Sequence, residues 1–176
     1  MEREAVLVGI DAGTTKVTTL IGEVGRAGDV NVIGYGIAPS VGMKKGMVAN
    51  IDQTVNSIAS SVEKAERLSG YKISSAFVAV GGSHISSQNS RGVVAVSGHK
   101  REVSREDVGR ATDAAKAVQV PSNREILHVV PRGYIVDGQE GIKDPLGMSA
   151  VRLEVETHIV AGATTSVQNL SKCVSG

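Results

Sequence analysis

The chain has 176 residues, of which 41% are apolar, 21% charged and 2% aromatic, with a formal net charge of +1. This composition is typical of a globular protein with one domain or two small ones. The scattered basic residues and few aromatic rings argue against a nucleic-acid surface, which needs a basic stripe and stacking rings. The single Cys173 excludes an internal disulfide and favours the cytoplasm. Residues 1–4 lead into no signal-peptide h-region, and no apolar stretch approaches the roughly 20 residues of a membrane span.

The opening of the chain predicts the element order β-β-β-α-β. Three strands rich in apolar and β-branched residues are expected at 5–11, 16–24 and 31–39. The first is a continuous apolar run, typical of a strand buried on both faces. A glycine-punctuated link at 41–48 precedes a helix that Asn50 caps, with Gln53 as its capping-box partner and Gly70 as its stop. Residues 75–80 then predict another buried strand.

The next block predicts the order strand-helix-strand-strand. An extended segment at 92–96 is followed by a helix that opens with a capping box, Ser104 to Asp107. Residues 125–136 predict a strand in which Pro131 indicates an edge or a bulge, and residues 138–147 predict a loop.

A last strand is predicted at 152–161, with Leu153, Val155, Thr157, Ile159 and Ala161 on one side. Glu154 and Glu156 fall on the other side, which we interpret as a polar outer face. Thr164 then begins a helix carrying Val167, Leu170 and Val174.

The segment Asp11-Ala-Gly-Thr-Thr-Lys16, between the first two strands, predicts a phosphate-binding turn. Gly13 permits a tight turn and close approach of backbone N–H groups to a phosphate. Thr14 and Thr15 add hydroxyl donors, and Lys16 adds a positive charge. Asp11 could hold Mg²⁺ through water, because Mg²⁺ usually keeps part of its hydration shell.

A plain hairpin turn is the alternative interpretation, since Asp, Gly and Thr are common in turns. The motif is not a P-loop, because the G-x-x-x-x-G-K-[ST] pattern is missing and no helix follows the turn. It is not a dinucleotide fingerprint either. A phosphate site carried by a hairpin therefore remains.

Other reactive side chains predict no site. The histidines, His84, His99, His128 and His158, lack metal-ligand spacing and are expected to be surface or packing residues. Cys173 is expected to be a small buried residue, and the basic pairs Lys44–Lys45 and Lys100–Arg101 to be solvated loop charges.

The Asp-x-Gly-Thr-Thr hairpin in a β-β-β-α-β unit resembles the first phosphate loop of the superfamily of actin, sugar kinases and heat-shock chaperone ATPases. Six further segments closely resemble the bacterial cell-division FtsA family: SVGMKKGMVANID at 40–52, GSHI at 82–85, NSRG at 89–92, REILH at 124–128, VDGQEGIKDPLGM at 136–148 and HIV at 158–160. The resemblance spans essentially the whole chain, and the run at 136–148 is highly specific.

This resemblance implies an α/β (α+β) fold: an actin-like, ribonuclease-H-type subdomain 1A with an inserted subdomain 1C of the SHS2 type. Residues 1–83 would form the first part of 1A, residues 84–162 would form 1C, and residues 163–176 would return to 1A. The chain would be incomplete relative to the family. It would hold Asp11, Gly13, Thr14, Thr15 and Lys16 but only one wall of the nucleotide cleft.

The resemblance also implies an adaptor that binds ATP with Mg²⁺, self-associates into filaments and links FtsZ to the cytoplasmic face of the inner membrane at the division site. The regions that receive FtsZ and the membrane helix would be missing here. Late division proteins would dock on 1C, for which a passive packing insert is the alternative. Hydrolysis would be at most weak, with no catalytic residue in this stretch. A pilus-assembly adaptor and a kinase of the same superfamily are the alternative functions.

Overall fold

The structure is a computed structural model that describes residues 5–97, 101–117 and 120–175. Predictions that involve residues 1–4, His99 and Lys100 lie outside the described residues. The chain divides into two compact units: Met1–His84 with Thr165–Gly176, and Ile85–Thr164. The second unit is inserted in the first, one residue after the expected start at 84 and two residues after the expected return at 163.

The strands and helices follow an order close to the predicted one. They are β1 (Ala5–Ala12), β2 (Lys16–Val24), β3 (Val30–Pro39), β4 (Met43–Lys44), β5 (Met47–Val48), α1 (Ile51–Ser69), β6 (Phe77–Ala79), β7 (Ser86–Ala95), α2 (Arg105–Lys116), β8 (Arg124–Val136), β9 (Gln139–Ile142), β10 (Arg152–Ala163) and α3 (Thr164–Ser175). Within the described ranges, no helix combines the length and apolarity needed to cross a membrane.

The first unit contains a four-stranded sheet of order β3-β2-β1-β6. β1 pairs antiparallel with β2 and parallel with β6. The three predicted opening strands are confirmed, and so are both ends of the first helix. The Asn50 side chain accepts a hydrogen bond from the Gln53 amide at 3.0 Å. Gly70 ends the helix in the left-handed conformation, at φ 71°, which glycine adopts without steric cost.

Helix α1 lies very close to the sheet where β2 and β3 carry small residues. A Cβ on Gly36 would overlap the Ser61 carbonyl oxygen of α1. The Ser61 hydroxyl is 2.8 Å from the Thr19 hydroxyl oxygen and donates to the Gly36 carbonyl at 2.9 Å. The buried hydroxyl groups are therefore satisfied, which close approach of a helix to a sheet requires.

Two expectations about burial in this sheet are wrong. β1 is not buried on both faces: Val8 and Ile10 are buried, but Leu7 is 41% exposed. The strand predicted at 75–80 is only Phe77–Ala79 at the sheet edge, and Phe77 is 74% exposed. The physical reason is that α1 and α3 pack on one face of the sheet, whereas the other face is uncovered among the described residues of this unit.

The uncovered face presents a row of large apolar side chains, and we expect it to cause self-association. Phe77 and Leu20 both neighbour Gly9, and Leu20 pairs with Tyr35. In sizing chromatography with light scattering, the chain should elute above its monomer mass, and the double substitution Leu20→Gln and Tyr35→Gln should restore the monomer. Leu146→Gln, at an exposed leucine of the second unit, is the control and should change nothing. A monomeric unsubstituted chain would contradict the prediction.

The second unit contains a sheet of order β7-β10-β8-β9 with α2 packed on one face. The predicted inward side of β10 is confirmed, since Leu153, Val155 and Ile159 are fully buried. Pro131 lies beside an irregularity in the β8–β10 register, between the pairs Glu156–Gly133 and Thr157–Pro131, as the bulge prediction requires. The Ser104–Asp107 capping box is confirmed.

Two predictions for this unit are corrected. Part of the loop expected at 138–147 is strand β9, which forms a hairpin with β8. Its turn uses two positive-φ residues, Asp137 and Gly138, a conformation that matches the twist of paired strands. Glu154 is not part of an exposed polar face, because it is only 7% exposed.

Glu154 is covered by arginine side chains from its own strand and the neighbouring one. Its carboxylate lies 3.0 Å from the Arg152 guanidinium and 3.5 Å from that of Arg91. Arg91 also pairs with the half-exposed Glu156 at 2.5 Å. The alternation of residues along β10 correctly predicts which side of the strand carries Glu154. It does not predict the burial of Glu154, because Arg91 reaches the carboxylate from the neighbouring strand β7.

Candidate phosphate-binding hairpin

The β1–β2 hairpin reverses the chain through four residues beyond the last strand pair, Ala12 with Val17. The Gly13 amide donates to the Lys16 carbonyl oxygen at 3.0 Å, which closes the turn. Thr14 and Thr15 lie between them, and both are exposed. The turn is therefore a tight projection from the end of the sheet and is not buried against other described residues.

The backbone donors at the tip of the turn are unused. Within the part of the chain that the structure describes, the amides of Thr14 and Thr15 donate to no other residue. Consecutive N–H groups that point to solvent at a turn form a concavity suited to an anion. The amides predicted to bind phosphate are thus available.

Gly13 fits the predicted role through its lack of a side chain. A Cβ at this position would lie 3.0 Å from the Lys16 carbonyl oxygen that the Gly13 amide binds. A larger residue would therefore strain the turn and stand beside the free amides. The sequence reason given for Gly13, close approach of the backbone, agrees with this geometry.

The two charged residues of the motif lie at the ends of the paired strands. Asp11 is exposed and pairs in register with Thr18 on one side and Ala79 on the other. Lys16 is exposed at the first position of β2. No ion pair joins Asp11 to Lys16 among the described residues, so both charges are open to a ligand. A carboxylate and an ammonium group at the base of a turn with two unused amides are groups that suit a magnesium-bound polyphosphate.

A second turn, which sequence reasoning missed, supports the hairpin. The Gly46 amide, between β4 and β5, donates to the Thr14 hydroxyl oxygen at 3.2 Å. That hydroxyl group still has its own proton to donate. The Lys45 carbonyl oxygen accepts from the Ser83 amide at 3.3 Å. The turn therefore connects the β1–β2 hairpin to the segment that follows β6.

Glycines make this three-loop contact possible. A Cβ on Gly46 would lie 2.5 Å from the Gly82 Cα, and a Cβ on Gly82 would lie 2.6 Å from the Lys45 carbonyl oxygen. Both residues also have positive φ, 77° and 119°. The glycines of the 41–48 link and Gly81–Gly82 are visible in the sequence and indicate turns. They do not indicate that the two turns contact each other.

A cavity and a buried cysteine of the first unit are separate from the hairpin. A cavity of about 650 Å³ lies between α1, α3 and residues 73–80, and its lining contains none of residues 11–16. Cys173 is 2% exposed beside it, as predicted, and burial raises the pKa of its thiol. Over the described ranges, no three side chains of the metal-binding types converge on one point.

The described histidines occupy three different environments. His84 is buried, His128 is exposed, and the His158 Nδ1 lies 2.8 Å from the Asn89 side-chain oxygen. These are the surface and packing roles expected from their spacing. The basic residues Lys44 and Lys45 are exposed, as solvated loop charges should be.

One family model and three FtsA proteins illustrate what this chain is similar to. The family model "SHS2 domain inserted in FTSA" matches residues 82–161, most of the second unit. Cell division protein FtsA of Pseudomonas aeruginosa is 47% identical over 169 residues, 96% of this chain and 40% of the relative. FtsA of Bacillus subtilis is 41% identical over 174 residues, 99% and 39% respectively. FtsA of Escherichia coli K12 is 40% identical over 169 residues, 96% and 40%.

The fold is also found in a solved structure of different sequence. A chain of the PilM–PilN type IV pilus biogenesis complex matches with a TM-score of 0.62 at 12% identity, covering 96% of this chain and 44% of that chain. The likeness confirms the mixed α/β, actin-like fold. The chain spans about 40% of the length of the curated relatives it matches. Because these relatives match 96% to 99% of its sequence at 40% identity or more, and most of its second unit matches the SHS2 domain inserted in FtsA, the chain belongs to the FtsA family of cell-division proteins.

Proposed function

We propose that the β1–β2 hairpin binds the phosphates of ATP and that the protein acts as an actin-like adaptor in cell division. The observation that carries the nucleotide assignment is the exposed turn with two unused amides, at Thr14 and Thr15, between the charges of Asp11 and Lys16. A plain connecting turn needs neither the free donors nor the three-loop contact through Gly46.

Each residue of the motif has a distinct role in this proposal. The amides and hydroxyl groups of Thr14 and Thr15 donate to phosphate oxygens, and Gly13 keeps the approach to them open. Lys16 offsets negative charge on the phosphates. Asp11 holds Mg²⁺ through water, and the bound metal neutralises charge between the phosphates. This wall of the cleft contains no residue to which we assign catalysis, so any hydrolysis would be weak.

The adaptor role is proposed from the family and extends beyond this stretch. FtsA relatives are named for cell division, and we propose that the whole protein polymerises and links the FtsZ ring to the inner membrane. The binding region for FtsZ and the membrane-attaching helix would lie in the part of the relatives that this chain does not span. The inserted unit would dock late division proteins. The pilus-complex likeness at 12% identity extends to the fold alone, so a pilus-assembly adaptor is not favoured.

The nucleotide assignment is tested by nuclear magnetic resonance on the 176-residue chain. Titration with Mg·ATP should shift the amide signals of residues 13–16 at millimolar ligand, because one wall of a cleft makes few contacts while the entropic cost of association remains. Lys16→Gln should raise the dissociation constant obtained from these shifts about tenfold, which is the loss expected for one charge-assisted contact.

Arg26→Gln supplies the matched control for this titration. It removes the same charge from an exposed position in the turn at the other end of β2, and it should leave the titration unchanged. Shifts that avoid the hairpin, or equal effects of the two substitutions, would refute nucleotide binding there. Micromolar affinity in calorimetry would show instead that this chain holds more of the site than one wall.

A further inference from the structure

Among the described residues, the two four-stranded sheets have four edge strands, β3, β6, β7 and β9, and three of these are short or carry protective residues. β6 and β9 are only three and four residues long. β3 ends in Pro39, which has no N–H, and the Lys64 ammonium group donates to the Ile37 carbonyl oxygen at 2.7 Å. Short length, proline and lysine are the usual means by which proteins prevent unwanted strand pairing. The fourth edge, β7, differs from the other three.

β7 is a long edge strand with regular pairing. It runs for ten residues, Ser86–Ala95, without proline, and it pairs with β10 over its whole length without a register shift. Its fully polar first half is also mostly exposed. A long, straight edge of this kind is the surface to which an extended peptide adds as a further strand.

The register shows which backbone groups point away from the sheet. The Val96 amide donates to the Val151 carbonyl oxygen, which makes this a hydrogen-bonded pair, and such pairs alternate along an antiparallel ladder. The even-numbered residues of β7 therefore bond to β10. The odd-numbered residues, Ser87, Asn89, Arg91, Val93 and Ala95, direct their N–H and C=O groups outward.

Only the last part of this edge is closed by the protein's own side chains. The Arg110 guanidinium donates to the Ala95 carbonyl oxygen at 2.9 Å, and Ser97, just beyond the strand, donates its amide to the Asp107 carboxylate. From Ser87 to Val93 the outward amides and carbonyl groups bind no residue within the described ranges. Four residues thus present a row of alternating donors and acceptors.

A groove lies beside the open part of the edge. It has a volume of about 410 Å³ and is lined by Ser86, Ser87, Gln88, Val120, Pro121, Arg124, Ile159 and Ala161. Side chains of an added strand alternate between the two faces of the sheet. One of them would therefore point into this groove, where Ile159 and Ala161 offer an apolar floor.

We propose that the β7 edge from Ser87 to Val93 is a docking site for an extended segment of another protein, which adds to the sheet as a fifth strand. Main-chain hydrogen bonds supply the affinity, and an apolar side chain in the groove supplies selectivity. The proposal rests on the proposed docking role of the inserted unit, for which it names the surface, and it does not depend on nucleotide binding by the hairpin.

A single strand fits this edge better than a second copy of the chain. Helix α2 lies directly over β7, because a Cβ on Gly92 would overlap the Ala111 carbonyl oxygen. Pairing two β7 strands would bring two α2 helices together along the flank that carries Arg110, with Asp113 one turn further on. Burying those charges is unfavourable, whereas a lone peptide leaves them in solvent.

The first test is hydrogen exchange of the unsubstituted chain. The amides of Asn89, Arg91 and Val93 should exchange much faster than those of Ser90 and Gly92, which bond to β10. Equal protection of the two sets would overturn the proposal, because it would mean that the edge is already paired.

The second test selects peptides from a random 12-residue phage-display library on the immobilised chain. Selected peptides should protect Asn89, Arg91 and Val93 from exchange, and Asn89→Pro should weaken their binding at least tenfold by removing an outward N–H. Asn89→Ala is the matched control, because it loses the same side-chain contact to His158 but keeps the amide, and it should bind as the unsubstituted chain does. Val93→Pro against Val93→Ala repeats the comparison if Asn89→Pro does not fold.

Three results would overturn the proposal. One is a library that yields no peptide protecting these amides, and another is peptides that bind the proline and alanine variants equally well. The third is self-association of the chain that Asn89→Pro abolishes and Asn89→Ala preserves, since that would identify a second copy as the occupant of the edge.

Discussion

Replacing Gly92 by alanine is expected to destabilise the inserted unit strongly. A Cβ at this position would overlap the Ala111 carbonyl oxygen and lie 2.5 Å from the Ala115 nitrogen, both in the backbone of α2. Backbone atoms of a helix cannot turn aside as a flexible side chain can, so α2 would have to move off β7. Overpacking of this kind costs about 3 kcal/mol, a large part of the stability of a small domain. Urea denaturation followed by circular dichroism, with amide signals of the unit recorded in parallel, measures the loss.

Gly109→Ala is the matched control, and it is expected to increase the free energy of unfolding where Gly92→Ala decreases it. Gly109 lies on the exposed side of α2, and a Cβ there meets nothing within 4 Å. Alanine at an open helical position should raise the free energy of unfolding by about 0.5 to 1 kcal/mol. If Gly92→Ala and Gly109→Ala had similar effects, the close contact between α2 and β7 would be refuted.

Asp107→Asn should destabilise the same unit by about 3 kcal/mol at neutral pH, the order expected when one partner of a buried charged network is removed. The Asp107 carboxylate is fully buried. It accepts from the amide and hydroxyl group of Ser104 at 2.9 and 2.7 Å, from the Ser97 hydroxyl group at 3.2 Å, and from the Arg110 guanidinium. Asparagine keeps the shape but puts donors where acceptors are needed.

The pH dependence of this loss follows from the same contacts. The Ser104 hydroxyl bond, aided by the other donors, holds the pKa of Asp107 far below its ordinary value of 3.8. A carboxyl group with a depressed pKa stabilises the fold above its unfolded pKa, and that contribution is lost as pH falls toward its folded pKa. The stability difference between the original chain and Asp107→Asn should therefore be largest at pH 7 and shrink at pH 3. A difference of equal size at both pH values would contradict the assignment.

Asp113→Asn is the control for this pair of measurements. Asp113 is an exposed residue of the same helix and pairs with Lys116 at 2.8 Å. Surface pairs contribute little to stability, so this substitution should leave urea denaturation almost unchanged at both pH values.

The parts of the fold that the sequence predicted well depend on residues close together in the chain. Asn50 and Gln53 are three residues apart, as are Ser104 and Asp107, and both helix starts are confirmed. Gly70 marks a helix end because only a left-handed residue fits there. The turn between β1 and β2 was predicted in the same way, from six consecutive residues, whereas phosphate binding by it stays a prediction.

The features that sequence reasoning missed depend on residues far apart in the chain. Gly46 and Gly82 are in close contact beside the hairpin although 36 positions separate them in the chain. The positions of glycines in a sequence do not show which segments they contact. The burial of Glu154 depends on Arg91 from the neighbouring strand. The sequence of β9 predicts a loop, because its flanking glycines and proline are typical of turns, whereas its pairing with β8 depends on the rest of the sheet.

The points where the inserted unit leaves and rejoins the chain have a consequence for its history. The unit begins at Ile85 and ends at Thr164. Close inside these ends, Ser86 and Ala161 are direct partners in the β7–β10 ladder, a single strand spacing of roughly 5 Å apart. Removing everything between them would leave a gap that a few linker residues could close. Ancestral chains could therefore have gained or exchanged this module in one recombination event. Engineered fusions could insert it into other proteins through the same two positions.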